Sequence, residues 1–307
     1  MSYFADFFIR MKRRSNYPVL IYMLLNSYIV GEVLGVLLSV PFWKAYIIGL
    51  ILYGVSLMLA LSPVGEWFLR WQTGCKKIKS KDIINRLEPL FNEVYEKARK
   101  KDPSILTDVQ LYMNNELQPN AFATGRKTVC VTEGLLALDD NQIKGILGHE
   151  FGHLAHKDTD KLLLICVGNI FFNIIVFFIN LIITLISIAM HVVFFKGSRV
   201  GAWIIRGLQA ITIGLMLKIW YLIGDWLILK TSRNNEYEAD EFSMELKYDE
   251  GLCSGLESIE RMLYSGNTPV HGLFSILWAD HPDTRDRIKR LQSLGSEYKS
   301  ELNFNNV

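Results

Sequence analysis

The chain has 307 residues, of which 50% are hydrophobic and 21% charged, with a mean hydropathy of +0.19. That balance is too apolar for an ordinary soluble domain, so membrane spans are expected. A net charge of +2 with no basic block interleaved with aromatics argues against a nucleic-acid partner, and four cysteines without a Cys-x-x-Cys pair argue against a disulfide framework or a thiolate metal site.

Residues 1–16 form a basic N-terminus carrying Arg10, Lys12, Arg13 and Arg14. A hydrocarbon core about 30 Å thick needs roughly 20 apolar residues per helix, and four stretches supply that, arranged in two pairs. The first pair, within residues 17–62, comprises 17–40 and 45–62, with Pro41, Trp43 and Lys44 between them, which predicts a helical hairpin. A signal peptide is the rival reading of 17–40, but the apolar run is longer than a signal core and no Ala-x-Ala-like cleavage site follows. Glu32, between Gly31 and Gly35, fits either helix packing or a functional role. Beyond the pair lie Arg70, Lys76, Lys77, Lys79 and Lys81, whereas the hairpin tip offers only Lys44. Both the N-terminus and the segment after Ser62 are therefore expected in the cytoplasm.

Residues 63–160 read as the first part of a catalytic domain. Residues 108–113, 121–124 and 128–132 have strand character, with Gly125-Arg126-Lys127 as a tight connection. An exposed edge strand there would hold an extended peptide by backbone hydrogen bonds. Phe122 fits that edge or simple core packing. Asp139-Asp140 followed by Ile143, Ile146 and Leu147 then predicts a capped amphipathic helix running into Gly148-His149-Glu150-Phe151-Gly152-His153. Positions four apart share a helix face, so His149 and His153 can direct two imidazoles at one zinc ion. Glu150, one residue round, stands beside the position where water binds and is the candidate general base. The bland alternative is a pair of surface histidines.

The second pair of spans, within 161–229, comprises 162–195 and 202–229, joined by Lys196-Gly197-Ser198-Arg199, and returns the chain to the cytoplasmic side. Asn169, Asn173 and Asn180 share one helical face, and Lys218 and Asp225 another, which fits contacts between helices. Residues 230–307 then supply the second part of the catalytic domain. A catalytic zinc takes three protein ligands. The metzincin pattern needs Gly at 156 and His at 159, where this chain has His156 and Thr159. In Glu236-Tyr237-Glu238-Ala239-Asp240, Glu236 and Asp240 share a helix face while Glu238 points nearly opposite. Glu236 is thus assigned to zinc, and Asp240 to orienting a histidine ligand through its free ring nitrogen. A solvated acidic helix is the alternative. His156 is expected beside the site or at the surface, since a fourth ligand would close the metal to water. His191 is expected at the far membrane face, and His271 in a loop.

Taken together, five ordered blocks resemble the HtpX-type membrane zinc metalloproteases, which share the gluzincin superfamily with the CAAX prenyl proteases. They are Asn120-Ala121-Phe122-Ala123-Thr124-Gly125, Val129 to Leu136, the His149 motif, Ser232-Arg233 with Glu236 and Ala239-Asp240, and His281-Pro282 with Thr284, Arg287 and Ile288. The resemblance implies an α-helical integral membrane protein with an α+β zincin-like metalloprotease domain and four spans. It implies one Zn2+ per chain on His149, His153 and Glu236, with Asn120, Ala121, Phe122 and Ala123 as the substrate-binding edge. His281 would act in catalysis by reaching the developing oxyanion, and Arg287 would pair with Asp240 or another carboxylate. Polypeptides, chiefly damaged or misassembled membrane proteins, are the implied substrates, in a bacterial inner membrane with the site facing the cytoplasm. Asp283 stands where a second proline is common, and Cys130 interrupts a usually aliphatic strand. A specific processing protease of the CAAX type would need more spans than this chain offers. An idle scaffold or transporter is disfavoured by the intact His149, Glu150, His153 and Glu236.

Overall fold

The computed structural model describes residues 17–158, 234–265 and 283–300, with scattered helical positions between 174 and 189. Apart from those positions, the expected second pair of spans lies outside the described residues, as do His191, His271 and the His281-Pro282 element. The chain divides into two compact units, one comprising Met1–Met58 with Gly168–Thr231 and the other Leu59–Val167 with Ser232–Val307.

In the first unit, helix α1 (Tyr17–Leu38) and helix α2 (Phe42–Ala60) form the expected hairpin. Ser39, with φ of 53°, and Pro41 end α1, because a left-handed residue followed by proline cannot continue a helix. The two helices touch through small residues. A Cβ at Gly49 would lie 2.3 Å from the Ser27 carbonyl oxygen, so only glycine permits this approach. Ile21, Leu24, Ile47, Ile51 and Met58 are turned outward. Among the described residues one stretch, Trp43–Ala60, is long and apolar enough to cross a bilayer, while α1 carries a shorter apolar stretch, Leu20–Glu32.

The second unit is mostly helical, with a small sheet. Helix α3 (Pro63–Gln72) and helix α4 (Lys81–Lys101) precede β1 (Gln110–Asn114), β2 (Ala121–Thr124) and β3 (Thr128–Thr132). The first strand starts two residues later than 108–113 because its pairing begins where the Gln110 N–H meets the Lys127 carbonyl, while Asp108 turns away to the Lys127 ammonium at 2.6 Å. The order is β1-β3-β2, with β1 parallel and β2 antiparallel to β3, so β2 is an edge. Central β3 is buried throughout, and Cys130 fits there as a small apolar side chain against Tyr112 and Phe122.

Helix α5 (Asp140–His156) carries the His149 motif. Asp139 caps it, accepting from the Asn141 and Gln142 N–H groups, while the Gln142 side chain accepts from the Asp139 N–H to complete a capping box. Its inner face packs on α4, where the Phe151 ring lies 5.5 Å from the rings of both Phe91 and Tyr95. A further helix α6, at 234–245, and helix α7 (Asp249–Ser265) cover α5, and helix α8 (Thr284–Ser293) adds Ile288 and Leu291 to the same core.

Candidate metal centre

The chemistry sits where α6 crosses α5, and the crossing is close because the α5 residues facing α6 are glycines. A Cβ at Gly152 would lie 2.8 Å from Ala239 Cα, and one at Gly148 2.6 Å from Ser243 Oγ. The glycines that bracket the histidines therefore let a second helix bring its carboxylates to them.

His149 Nε2 lies 3.1 Å from His153 Nε2, and Glu236 oxygens lie 3.4 Å and 3.3 Å from the two ring nitrogens. A tetrahedral ion with ligands at about 2.0–2.1 Å separates its ligand atoms by about 3.3 Å. The three atoms match that triangle, and the set of two imidazoles and a carboxylate suits zinc. Glu238, by contrast, is exposed on the far side of α6.

Each histidine is oriented from behind. His149 Nδ1 meets Asp240 Oδ1 at 2.8 Å, and Asp240 is clamped by Arg287, with Nη2 to Oδ1 at 2.6 Å and Nε to Oδ2 at 2.9 Å. Of the carboxylates left open to Arg287, the structure places Asp240 against it. His153 Nδ1 meets Asp158 Oδ2 at 3.2 Å, a partner the sequence reading missed. The signal was faint: Asp158 lies beyond the helix end and returns to the ring only because Lys157 adopts a left-handed cap with φ of 57°. His156 packs beside the Phe242 ring, outside the metal triangle.

The electrostatics favour a cation. Burial and Arg287 pull the His149 pKa down, but Asp240 and Glu236 outweigh them and leave it raised. Burial likewise opposes protonation of His153, yet Glu236, Asp158 and Glu150 leave its pKa well above the usual imidazole value. Burial pushes the Asp240 carboxyl up, whereas Arg287 and His149 together hold it at about 2. Buried carboxylates thus surround two imidazoles, an arrangement that calls for protons or a metal ion.

Glu150 is buried and points its carboxylate at the sheet, where Oε2 accepts the Ala123 N–H at 2.6 Å. Asn120 pairs with Thr132, its carbonyl accepting the Thr132 N–H at 2.9 Å. By antiparallel alternation Asn120, Phe122 and Thr124 turn their backbone groups to β3, and Ala121 and Ala123 turn theirs away from it. The edge strand is not exposed as expected: all of β2 is buried, because the zinc-motif helix lies against it and Glu150 holds the Ala123 N–H. The Phe122 side chain packs with Tyr112 and Cys130, the core reading left open for it.

Comparison with known proteins gives a consistent result. Residues 85–294 match peptidase family M48. The chain is 28% identical to a Protease HtpX homolog of Lactobacillus acidophilus over 93% of this chain and 98% of that one, and 32% identical to one of Campylobacter hominis over 60% and 68%. The S. mikatae Ste24p crystal structure covers 91% of this chain and 66% of its own, at 16% identity and a TM-score of 0.45. With the family spanning residues 85–294, which include the His149 motif, Glu236 and Arg287, the chain belongs to peptidase family M48 as an HtpX-type metalloprotease.

Proposed function

We propose that the chain is a zinc-dependent endopeptidase of a multi-pass bacterial inner membrane, cutting damaged or misassembled membrane proteins from the cytoplasmic side. The observation that carries this reading is the base held against the edge strand, Glu150 Oε2 on the Ala123 N–H, beside the triangle of His149, His153 and Glu236.

His149, His153 and Glu236 would hold the zinc ion, which when bound would supply Lewis acidity to activate water near neutral pH. Asp240 and Asp158 hold the two rings with Nε2 forward, and Arg287 fixes Asp240. A substrate strand pairs with the Ala121 N–H and carbonyl and with the Ala123 carbonyl, the Ala123 N–H being held by Glu150, which brings its scissile carbonyl within reach of Glu150 without demanding a particular side chain. Glu150 takes the proton as water attacks that carbonyl, and returns it to the leaving amine. His281 is assigned the contact to the oxyanion.

Purified protein with and without zinc, offered casein or an unfolded membrane protein, tests the reading beside a Glu150→Gln control. Zinc-dependent cleavage by the wild type alone supports it, and digestion unaffected by chelation would overturn it. Orientation is tested separately: cysteines placed at Ser80 and Ser293 should label from the cytoplasm and one at Ser198 from the opposite face. Labelling of Ser80 and Ser293 from different sides would end the four-span proposal.

A further inference from the structure

Helix α3 turns charged side chains inward, beside the fully buried Leu69, and large apolar ones outward. Glu66 is buried and its Oε1 accepts the Arg126 N–H at 2.5 Å. Arg70 Nη1 lies 3.6 Å from the other Glu66 oxygen and donates to Thr128 Oγ1 at 3.1 Å, and its guanidinium lies 5.3 Å from the Tyr112 ring. The outward face is apolar: Val64, Trp67 and Trp71 are 61%, 60% and 68% exposed, and the half-buried Phe68 ring lies 5.9 Å from Trp71. The spacing of three and four puts all of these on one stripe. One exposed leucine needs no explanation, but two tryptophans and a valine on a continuous stripe mark a surface that meets something apolar.

Chain continuity says what that is. Pro63 begins α3 three positions after Ala60 ends α2, and Ser62 caps it by accepting the Val64 N–H at 3.2 Å. A Cβ at Gly65 would lie 2.0 Å from the Ala60 carbonyl oxygen, so the start of α3 is pressed against the end of α2. Trp43–Ala60 is the stretch suited to crossing a bilayer. The three Cα steps from Ala60 to Pro63 reach at most about 11 Å, which keeps the start of α3 at the boundary of that bilayer. Tryptophan prefers this zone, where its ring is buried in the interface and its N–H stays wet. The exposed Lys76, Lys77, Lys79 and Lys81 follow within ten residues of Trp71, as attraction to anionic headgroups requires.

We propose that α3 is an interfacial helix: Val64, Trp67, Phe68 and Trp71 lie in the headgroup layer of the membrane that α2 enters, with the following lysines on anionic lipid. The proposal rests on the membrane reading given above. Its consequence reaches the active site through the polar face. Gly125, in the turn between β2 and β3, has φ of +61°, and a Cβ there would lie 2.6 Å from Glu66 Cγ. The turn is thus gripped by α3, and the same hairpin carries Ala123, which holds Glu150. Seating α3 on lipid sets the height of the edge strand, so chain segments emerging from the bilayer reach that edge ahead of segments in bulk solution.

The test uses full-length protein reconstituted in phosphatidylcholine vesicles with and without phosphatidylglycerol. The difference in fluorescence between wild type and a Trp67→Phe/Trp71→Phe variant isolates the two tryptophans. That difference should be quenched by lipids brominated near the headgroup and shielded from aqueous acrylamide. Quenching by acrylamide and indifference to bromine, in both compositions, would overturn the proposal. A Trp67→Glu/Trp71→Glu variant should then lose cleavage of a membrane-anchored substrate by about tenfold more than cleavage of casein, because the edge strand is no longer held at the height of segments emerging from the bilayer and their effective concentration at it falls. Equal losses would reduce α3 to a brace for the strand hairpin and overturn its role in selection. If the wild type cut neither substrate, the peptidase reading would fail while the quenching still decided the helix.

Discussion

Helix α5 places His149 and Glu150 inside the catalytic unit at 3% and 4% exposure, whereas helix α3 turns Val64, Trp67 and Trp71 out of it. Each breaks the rule that apolar groups go in and polar groups stay out, and each does so in the opposite direction. On α5 the exception is compensated locally, since every buried polar group of the triangle has a charged or hydrogen-bonding partner from α6, α8, β2 or the Asp158 turn. On α3 no group among the described residues covers the apolar stripe, and in the proposal above lipid supplies the compensation. Buried polar groups with partners mark chemistry; exposed apolar groups without them mark a surface.

The largest expected effect separates the base from the ligands beside it. Glu150→Gln keeps the shape of the side chain but removes proton transfer, so turnover should fall by about 10²–10⁴-fold while metal content stays at the wild-type level. Cleavage near wild type would remove Glu150 from the mechanism. Glu236→Ala leaves two protein ligands where a catalytic zinc needs three, and zinc should be lost on dialysis. Glu238→Ala, on the exposed side of the same helix, should retain it. Equal losses would mean the wrong carboxylate had been assigned.

The inward face of α5 answers to packing alone. Phe151 is fully buried between Phe91 and Tyr95, so Phe151→Ala should destabilise the catalytic unit by about 3–5 kcal/mol. A chemical-denaturation midpoint close to wild type would show that the ring stack is not a core element. A smaller effect, specific to metal, is expected behind His153. Asp158→Asn should weaken zinc binding by about 10–100-fold in a competitive chelator titration, less than loss of Glu236 does. An unchanged affinity would show that Asp158 does not orient the ring.

How much of this was legible follows the range of the interactions. The α5 cap, the zinc pair and strands β2 and β3 came from local pattern, because capping and side-chain periodicity act over a few residues. Glu236 and Asp240 were legible because a face argument on one helix needs only the spacing of four. Asp158 was not, since its contact depends on the left-handed turn at Lys157 rather than on helical spacing. Helix α3 was also missed: Arg70 counted only as one of the basic residues beyond the first pair of spans, and only partners about 60 residues away, Arg126 for Glu66 and Thr128 for Arg70, reveal that both face inward. The second pair of spans rests on hydropathy, with its residues outside those described apart from scattered helical positions.

The smallest expected effect is a control on the comparison itself, a polar contact of α5 at its exposed rim. Glu93 of α4 accepts from Lys144 of α5 at 2.6 Å and from the Tyr248 hydroxyl at 2.8 Å. The Lys144 hydrogen bond is the largest influence on its carboxyl, followed by that of Tyr248, and together they lower its pKa to about 2. A carboxylate whose folded pKa is depressed contributes stability above its unfolded value, near 4.3, and loses it as pH falls toward about 2. The side chain is 41% exposed, so solvent screening should limit the contribution to no more than about 1 kcal/mol. Wild type should therefore lose slightly more stability than Glu93→Gln between about pH 5 and pH 2, and the two should differ by a small constant amount at neutral pH. A difference as large as that of Phe151→Ala would mean that the rim pair behaves like a buried one, and the contrast between partnered interior and solvated edge on α5 would fail.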